Sequence, residues 1–134
     1  MAPFLAKTSR QPAQIQSKLL LCGDFNIAPH DLDVYKPSEV QGTIMVSDVE
    51  RNKLEEIRKW GFVDAFRMHN CEGGLFSWWD YRMGAFRRNM GFRIDHIWVT
   101  ESLSNDCVRS WIDKEPRKAE RPSDHAPILA EFKS

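Results

Sequence analysis

The stretch FRIDHIWVT, Phe92 to Thr100, limits the fold more than any other part of this 134-residue chain. Phe92, Ile94 and Trp98 fall on one parity of the run, and Ile97 and Val99 on the other. A strand built from it therefore carries apolar side chains on both faces. Such a strand needs cover on both sides, which places it in the middle of a sheet. Asp95 and His96 interrupt the run. A carboxylate in the middle of an apolar strand is costly unless it is paired. Its partner is either an arginine, such as Arg93 two residues away on the same face, or a histidine that the carboxylate holds in one tautomer. His96 points away from Asp95, to the opposite face, and reads as structural.

Other segments supply the neighbours such a strand requires. KLLLCGDFN (Lys18–Asn26) reads as a buried strand ending in a Gly-Asp turn. SDVERNKLEEIRKWG is the clearest helix: Ser47 and Glu50 make a capping-box pattern, Leu54, Ile57 and Trp60 mark an apolar face, and Gly61 ends it. FVDAFR is a short connection or strand, LFSWWDYR (Leu75–Arg82) is strand-like, and CVRSWID and APILAEF are further strands. Several strands with few helices predict an α+β domain or sheet-on-sheet layering with a helix outside. No internal repeat and no low-complexity tract is present.

Composition narrows the class. With 42% hydrophobic and 28% charged residues, the chain is a folded single domain. No apolar run approaches the roughly 18 residues of a membrane span, so a membrane partner is not expected. Net charge is zero and does not by itself announce a nucleic-acid partner. The arginine cluster Arg82, Arg87, Arg88 and Arg93 is still compatible with local phosphate contacts. Cys22, Cys71 and Cys107 form no CxxC pair and read as free thiols of a reducing, intracellular compartment. Residues 1–17 read as a polar lead-in, and the ordered domain is expected over 18–134.

Three polar sites lie at strand ends or within apolar strands: Asp24 and Asn26 in GDFN, Asp95, and the neighbours Asp124 and His125 in PSDHAP. Each alone has a bland reading, as an Asx turn, a structural ion pair or a loop element. Together they form an oxygen-rich set with one imidazole. Hard cations such as Mg²⁺ prefer carboxylate and amide oxygens, and a carboxylate–imidazole pair with Mg²⁺ suits phosphoryl chemistry on a positioned water. No glycine-rich phosphate loop is present, which argues against P-loop nucleotide hydrolysis.

GDFNIAP, GFVDAF, FSWWDYR, GFRIDHI and PSDHAPI stand in the order and at the spacing of the exonuclease III family of abasic-site DNA repair endonucleases, within the wider endonuclease/exonuclease/phosphatase fold. The resemblance runs from about Leu19 to Phe132. FSWWDYR followed by NMGFRIDHI is its most specific part, since GDxN and SDH are shared with superfamily phosphatases. The resemblance implies one sheet-plus-helices half of a four-layer α/β/β/α sandwich. It also implies a Mg²⁺-dependent nuclease, with Mn²⁺ as the alternative ion, that acts on duplex DNA at abasic sites or 3′ ends in the cytoplasm or nucleoid.

Roles follow residue by residue. Asp24 resembles the aspartate that activates water or protonates the leaving group, and Asn26 the asparagine that steadies the scissile phosphate. Asp95 resembles the aspartate that orients the catalytic histidine, here His125. Asp24, Asn26, Asp124 and His125 are the implied metal-site residues. Trp78, Phe92 and Ile94 are the implied wall of a pocket for the baseless deoxyribose, with core packing as the plain alternative. Arg82, Arg87 and Asn89 sit on a loop that would reach DNA phosphates or simply be solvated.

The chain departs from the family in resembling only its C-terminal half. The other half normally supplies a metal-binding glutamate, an asparagine and a tyrosine, none of which has an obvious replacement here. The expectation is a fragment of a longer product, which alone exposes the apolar face that a missing N-terminal half or a partner chain would cover. A phosphatase acting on a small or lipid phosphate and a DNA-binding remnant without a metal are the rival readings.

Overall fold

The computed structural model describes residues 17–134, so the lead-in lies outside the described residues apart from Ser17. In chain order the elements are β1 (Leu20–Asp24), α1 (Pro37–Val40), α2 (Asp48–Lys59), β2 (Phe62–Asp64), α3 (Ala65–His69), β3 (Trp78–Trp79), β4 (Gly91–Phe92), β5 (Asp95–Thr100), α4 (Glu101–Ser104), β6 (Cys107–Ile112) and β7 (Ile128–Phe132). All strand pairings are antiparallel: β1–β5–β2, β3–β4 and β6–β7. The protein is α+β.

The FRIDHIWVT run is not one strand. Its first residues pair with β3 as β4, and its last six form β5, central between β1 and β2. The break lies at Arg93 and Ile94, whose backbone groups bond outside the ladders. Arg93 N donates to Asp33 O at 2.9 Å, Ile94 N donates to Ser77 Oγ at 3.0 Å, and Ile94 O accepts from Phe25 N at 3.1 Å. Asp95 is therefore the first residue of β5 and not a mid-strand carboxylate.

Both faces of β5 are covered. Ile97 and Val99 pack with Ala65 and Cys107, against side chains of β7. Trp98, on the other face, packs with Ile27, Phe62 and Leu54 of α2. The capping box of α2 forms, with Glu50 N donating to Ser47 Oγ at 3.2 Å and Ser47 N donating to Glu50 Oε1 at 3.4 Å. Leu54 is buried, but Trp60 at the end of the helix is 52% exposed and does not extend its buried face. LFSWWDYR contributes only two strand residues.

β1 is the largest departure from the sequence reading. It pairs with β5 on one edge only, and Leu19, Leu20 and Leu21 are 47%, 42% and 40% exposed. Four apolar residues in a row signal a strand that wants cover on both faces, but among the described residues that cover is incomplete.

The arginine in the break also departs from expectation. Arg93 is fully buried and pairs not with Asp95 but with Asp33 (Nε–Oδ1, 2.6 Å) and Asp64 (Nη2–Oδ2, 2.7 Å). Arg67 Nη2 reaches Asp33 as well, at 2.5 Å. Burial works against the Asp33 carboxylate, but the two guanidinium groups outweigh it and hold its pKa below the usual range. His96 is buried beside this network. Its Nε2 lies 2.7 Å from the Ile27 carbonyl, and its Nδ1 lies 3.5 Å from Arg93 Nη1. Burial and the Arg93 charge push its pKa down to about 4, so it stays neutral, donating through Nε2. Its structural reading holds.

Candidate active site

Strand register builds the first part of the site. Asp24, the last residue of β1, stands directly opposite Asp95, the first of β5. Like charges in cross-strand register are unfavourable unless something intervenes. His125 intervenes. Its Nδ1 lies 2.8 Å from Asp95 Oδ2, and its Nε2 faces Asp24 Oδ2 at 3.7 Å and Asp124 Oδ1 at 3.9 Å. Asp95 thus fixes the tautomer, with Nδ1–H donating to the carboxylate and Nε2 turned to the open side. Burial disfavours the imidazolium. The bond to Asp95 and the charges of Asp95, Asp24 and Asp124 outweigh it, and the net pKa of His125 is raised. Burial also raises Asp95, only partly offset by bonds from His125 and Ser77. The two directions compete for one shared proton. Three carboxylates around one ring favour keeping it on His125.

Asp24 Oδ1 accepts from Asn26 N at 2.9 Å, an Asx turn that leaves Oδ2 toward His125. Asn26 is exposed at φ +58°, a left-handed conformation asparagine tolerates better than most residues. Asp124 is held by Trp78, whose Nε1 donates to Oδ2 at 2.9 Å, while its carbonyl accepts from Trp79 N at 3.2 Å. A bridge between Trp78 and His125 carries the PSDHAP segment alongside β3.

The donor set suits a hard cation. Ligand atoms of Asp24, Asp95 and His125 lie within 4.8 Å of one another, and the Asp24 and Asp124 side chains are 47% and 36% accessible. Asp24 and, outside that trio, Asp124 offer solvent-facing carboxylate oxygens, the donors a divalent hard ion prefers.

A cavity of about 210 Å³ adjoins the cluster through Trp78, with Tyr35, Phe92, Arg82, Met83 and Met90 among its lining residues. Phe92 packs on Trp78 at 5.7 Å and edge-on to Tyr35 at 5.8 Å. Ile94 is 2% exposed within a core cluster with Ala28, Val34 and Val46 and is not among the lining residues. Arg82 is exposed and forks onto Asp80, which holds the Asp80 pKa at about 2. The exposed Arg87 lies over Gly84. Both ends of the Asn89 amide have partners within the chain: Oδ1 accepts from Trp79 Nε1 at 2.9 Å, and Nδ2 donates to Gly74 O at 3.1 Å.

Two site residues escaped the sequence reading. Ser77 is fully buried; its Oγ accepts from the backbone N–H groups of Ile94 and Asp95, and its hydroxyl bonds the Asp95 carboxylate. Its carbonyl accepts from Ala126 N at 2.8 Å, next to His125. A serine between Phe76 and Trp78 in an apolar run was the available signal. Tyr35 is docked in the cavity wall by its N–H on Gly91 O, and nothing in its own loop announces this.

The structure thus sets a carboxylate–imidazole cluster on an antiparallel α+β frame. Residues 4–125 match the Endonuclease/Exonuclease/phosphatase family, and the chain belongs to it. Over 122 residues it is 41% identical to exodeoxyribonuclease III of Haemophilus influenzae, covering 86% of this chain and 46% of that one. A 3′ phosphatase from Neisseria, solved with a product DNA hairpin, superposes with a TM-score of 0.85 at 43% identity, over 87% of this chain and 46% of that one. An AP endonuclease from Archaeoglobus fulgidus gives 0.84 at 36% identity, over 88% and 46%. The chain thus spans less than half the length of these relatives. Among the described residues no helix is long and apolar enough to cross a membrane.

Proposed function

We propose that this chain is the C-terminal half of an exonuclease III-like DNA repair nuclease that hydrolyses the phosphodiester 5′ to abasic sites and processes 3′ ends of duplex DNA inside the cell. One observation carries the reading: His125, bonded through Nδ1 to Asp95 at 2.8 Å, turns Nε2 toward two accessible carboxylates, Asp24 and Asp124. The names of the relatives from Haemophilus, Neisseria and Archaeoglobus support the substrate class.

In this reading Asp24, Asn26 and Asp124, with His125 beside them, hold Mg²⁺ or Mn²⁺. The bound ion supplies charge neutralisation at the phosphate and acidifies water. The chain's own residues do the rest. Asp24 takes the proton of the attacking water or returns one to the leaving oxygen. Asn26 steadies the phosphate. His125, favoured as the imidazolium by the carboxylates around it, donates from Nε2 to a phosphate oxygen, and Asp95 keeps the ring in the required orientation. Trp78 and Phe92 wall a cavity suited to a baseless sugar, with Ile94 backing them from the core. Arg82 and Arg87 contact phosphates, and Asn89 shapes their loop. A further half, on the same polypeptide or a partner chain, covers the exposed leucines of β1 and completes the ion's ligands.

The test is incision of a duplex bearing one abasic site by the complete gene product with Mg²⁺. His125→Ala should lower the rate by about 10²–10⁴-fold, the usual span for losing a positioned acid or base. Incision at near-normal rates in that variant refutes the assignment. Faster turnover of a soluble phosphomonoester than of the abasic duplex favours the phosphatase reading.

A further inference from the structure

Arg117 is 7% exposed and, among the described residues, has no ion-pair partner within 4.0 Å. It lies in the 3₁₀ turn Glu115–Lys118, a segment without a role in the site described above. A buried, unpaired guanidinium is expensive, so its surroundings must compensate. They do so with one hydrogen bond and two rings. Nη2 donates to the Trp79 carbonyl at 3.3 Å, and the guanidinium carbon sits 5.3 Å from the Tyr81 ring centroid and 4.9 Å from that of Phe86. Nε is buried and, among the described residues, has no hydrogen-bond partner.

Tyr81 and Phe86 are the two ends of the segment that carries Arg82, Met83 and Ala85 into the cavity wall. That segment is not regular. Met83 takes φ +62°, a left-handed conformation unfavourable for an unbranched apolar residue, while its side chain is 74% exposed. Its own packing therefore does not hold it there. Arg117 reaches both ends from beneath, and Tyr81 is tied on its far side by its hydroxyl to the Pro122 carbonyl at 2.7 Å. A planar guanidinium can bond in its plane while its faces meet aromatic rings, which neither lysine nor an apolar residue reproduces.

We propose that Arg117 is a positioning residue. It fixes the Tyr81–Phe86 segment, and with it the wall that selects what enters the cavity beside Trp78. The selection rests on the function proposed above; the fixing of the loop does not.

Trypsin reads the loop directly, because Arg82, Arg87 and Arg88 are exposed. The full chain carrying Arg117→Met, or Arg117→Lys should the first not fold, is compared with the unaltered chain at 25 °C after circular dichroism and a thermal melt confirm folding. Cleavage after these three arginines should be about tenfold faster, with cleavage at sites outside the loop unchanged, since a local opening is made easier. Unchanged cleavage in the loop overturns the proposal. Equal acceleration at every site also overturns it, because that is a loss of global stability. Fluorescence anisotropy of the complete gene product, with and without the Arg117 substitution, on a duplex containing a tetrahydrofuran abasic mimic against an intact duplex, supplies the second readout. The unaltered product should prefer the mimic, and the variant should lose that preference. An unaltered product with no preference counts against the proposed function, while the cleavage pattern still decides the role of Arg117.

Discussion

Acidification should destabilise the fold through His96 in a way that is calculable. Its pKa lies at about 4 in the folded protein, against an ordinary value of 6.5, because burial and the neighbouring Arg93 oppose a second positive charge. The unfolded chain therefore binds the proton more readily. For a base with a depressed folded pKa, stability is intact above pH 6.5 and falls as pH drops toward 4. At 1.36 kcal/mol per unit, lowering the pH from 7 to 4.5 removes about 2 kcal/mol through this one group. Other ionisable groups also respond to pH, so the unaltered protein alone cannot isolate it. His96→Gln can. Its side-chain amide can still donate to the Ile27 carbonyl but takes up no proton. Urea unfolding followed by tryptophan fluorescence, for both proteins at both pH values, gives a double difference in which the shared titrations cancel. The unaltered protein should lose about 2 kcal/mol more than the variant. An equal loss in both refutes the claim that His96 is held neutral by its surroundings.

Three further outcomes are expected. On the proposed function, Ser77→Ala should loosen Asp95 while leaving the backbone bond to Ala126 in place, lowering abasic-site incision by the complete gene product about tenfold in kcat with little change in KM, and Ser77→Thr should restore most of it. Arg93→Met leaves Asp64 and much of Asp33 without their buried partner and should cost about 3 kcal/mol by urea unfolding. Gly91→Ala places a Cβ 2.6 Å from Trp79 Nε1 and 2.8 Å from the Trp78 carbonyl, and should lower stability by roughly 1–3 kcal/mol, read as a reduced melting temperature.

What was legible in the sequence was what short-range chemistry decides. Ser47 and Glu50 lie within one turn, so the capping box needs no tertiary information. The double-faced apolar run Phe92–Thr100 had to be central, and its second part, β5, is. The polarity argument for Asp95 worked in part: it was read as a mid-strand carboxylate that required a partner, and although it opens β5, His125 supplies one. Arg93, one of the two kinds of partner considered for Asp95, bonds Asp33 instead, which is sixty residues away, and no periodicity connects a loop aspartate to a strand arginine. The break of the run at Arg93 and Ile94 was hidden for the same reason. It is made by the backbone of Asp33 and Phe25 and by the hydroxyl of Ser77, none of which alters the hydrophobic pattern.

The break has a functional consequence that pattern alone does not reveal. Had Phe92–Thr100 been one continuous strand, Asp95 would sit mid-ladder, far from any strand end. Ending β4 at Phe92 and starting β5 at Asp95 brings that carboxylate to the rim, opposite the last residue of β1. Two facing carboxylates then create a local demand for positive charge, which His125 meets in part and a divalent ion would meet more fully. The same kink frees two N–H groups from the ladders for Ser77 to accept, so the feature that opens the strand also fixes Asp95. The exposed leucines of β1 belong to the strand that ends in Asp24. Covering them with a second half would therefore hold one of the two facing carboxylates more rigidly. On the proposed reading, stability and ion affinity should rise together when that half is present.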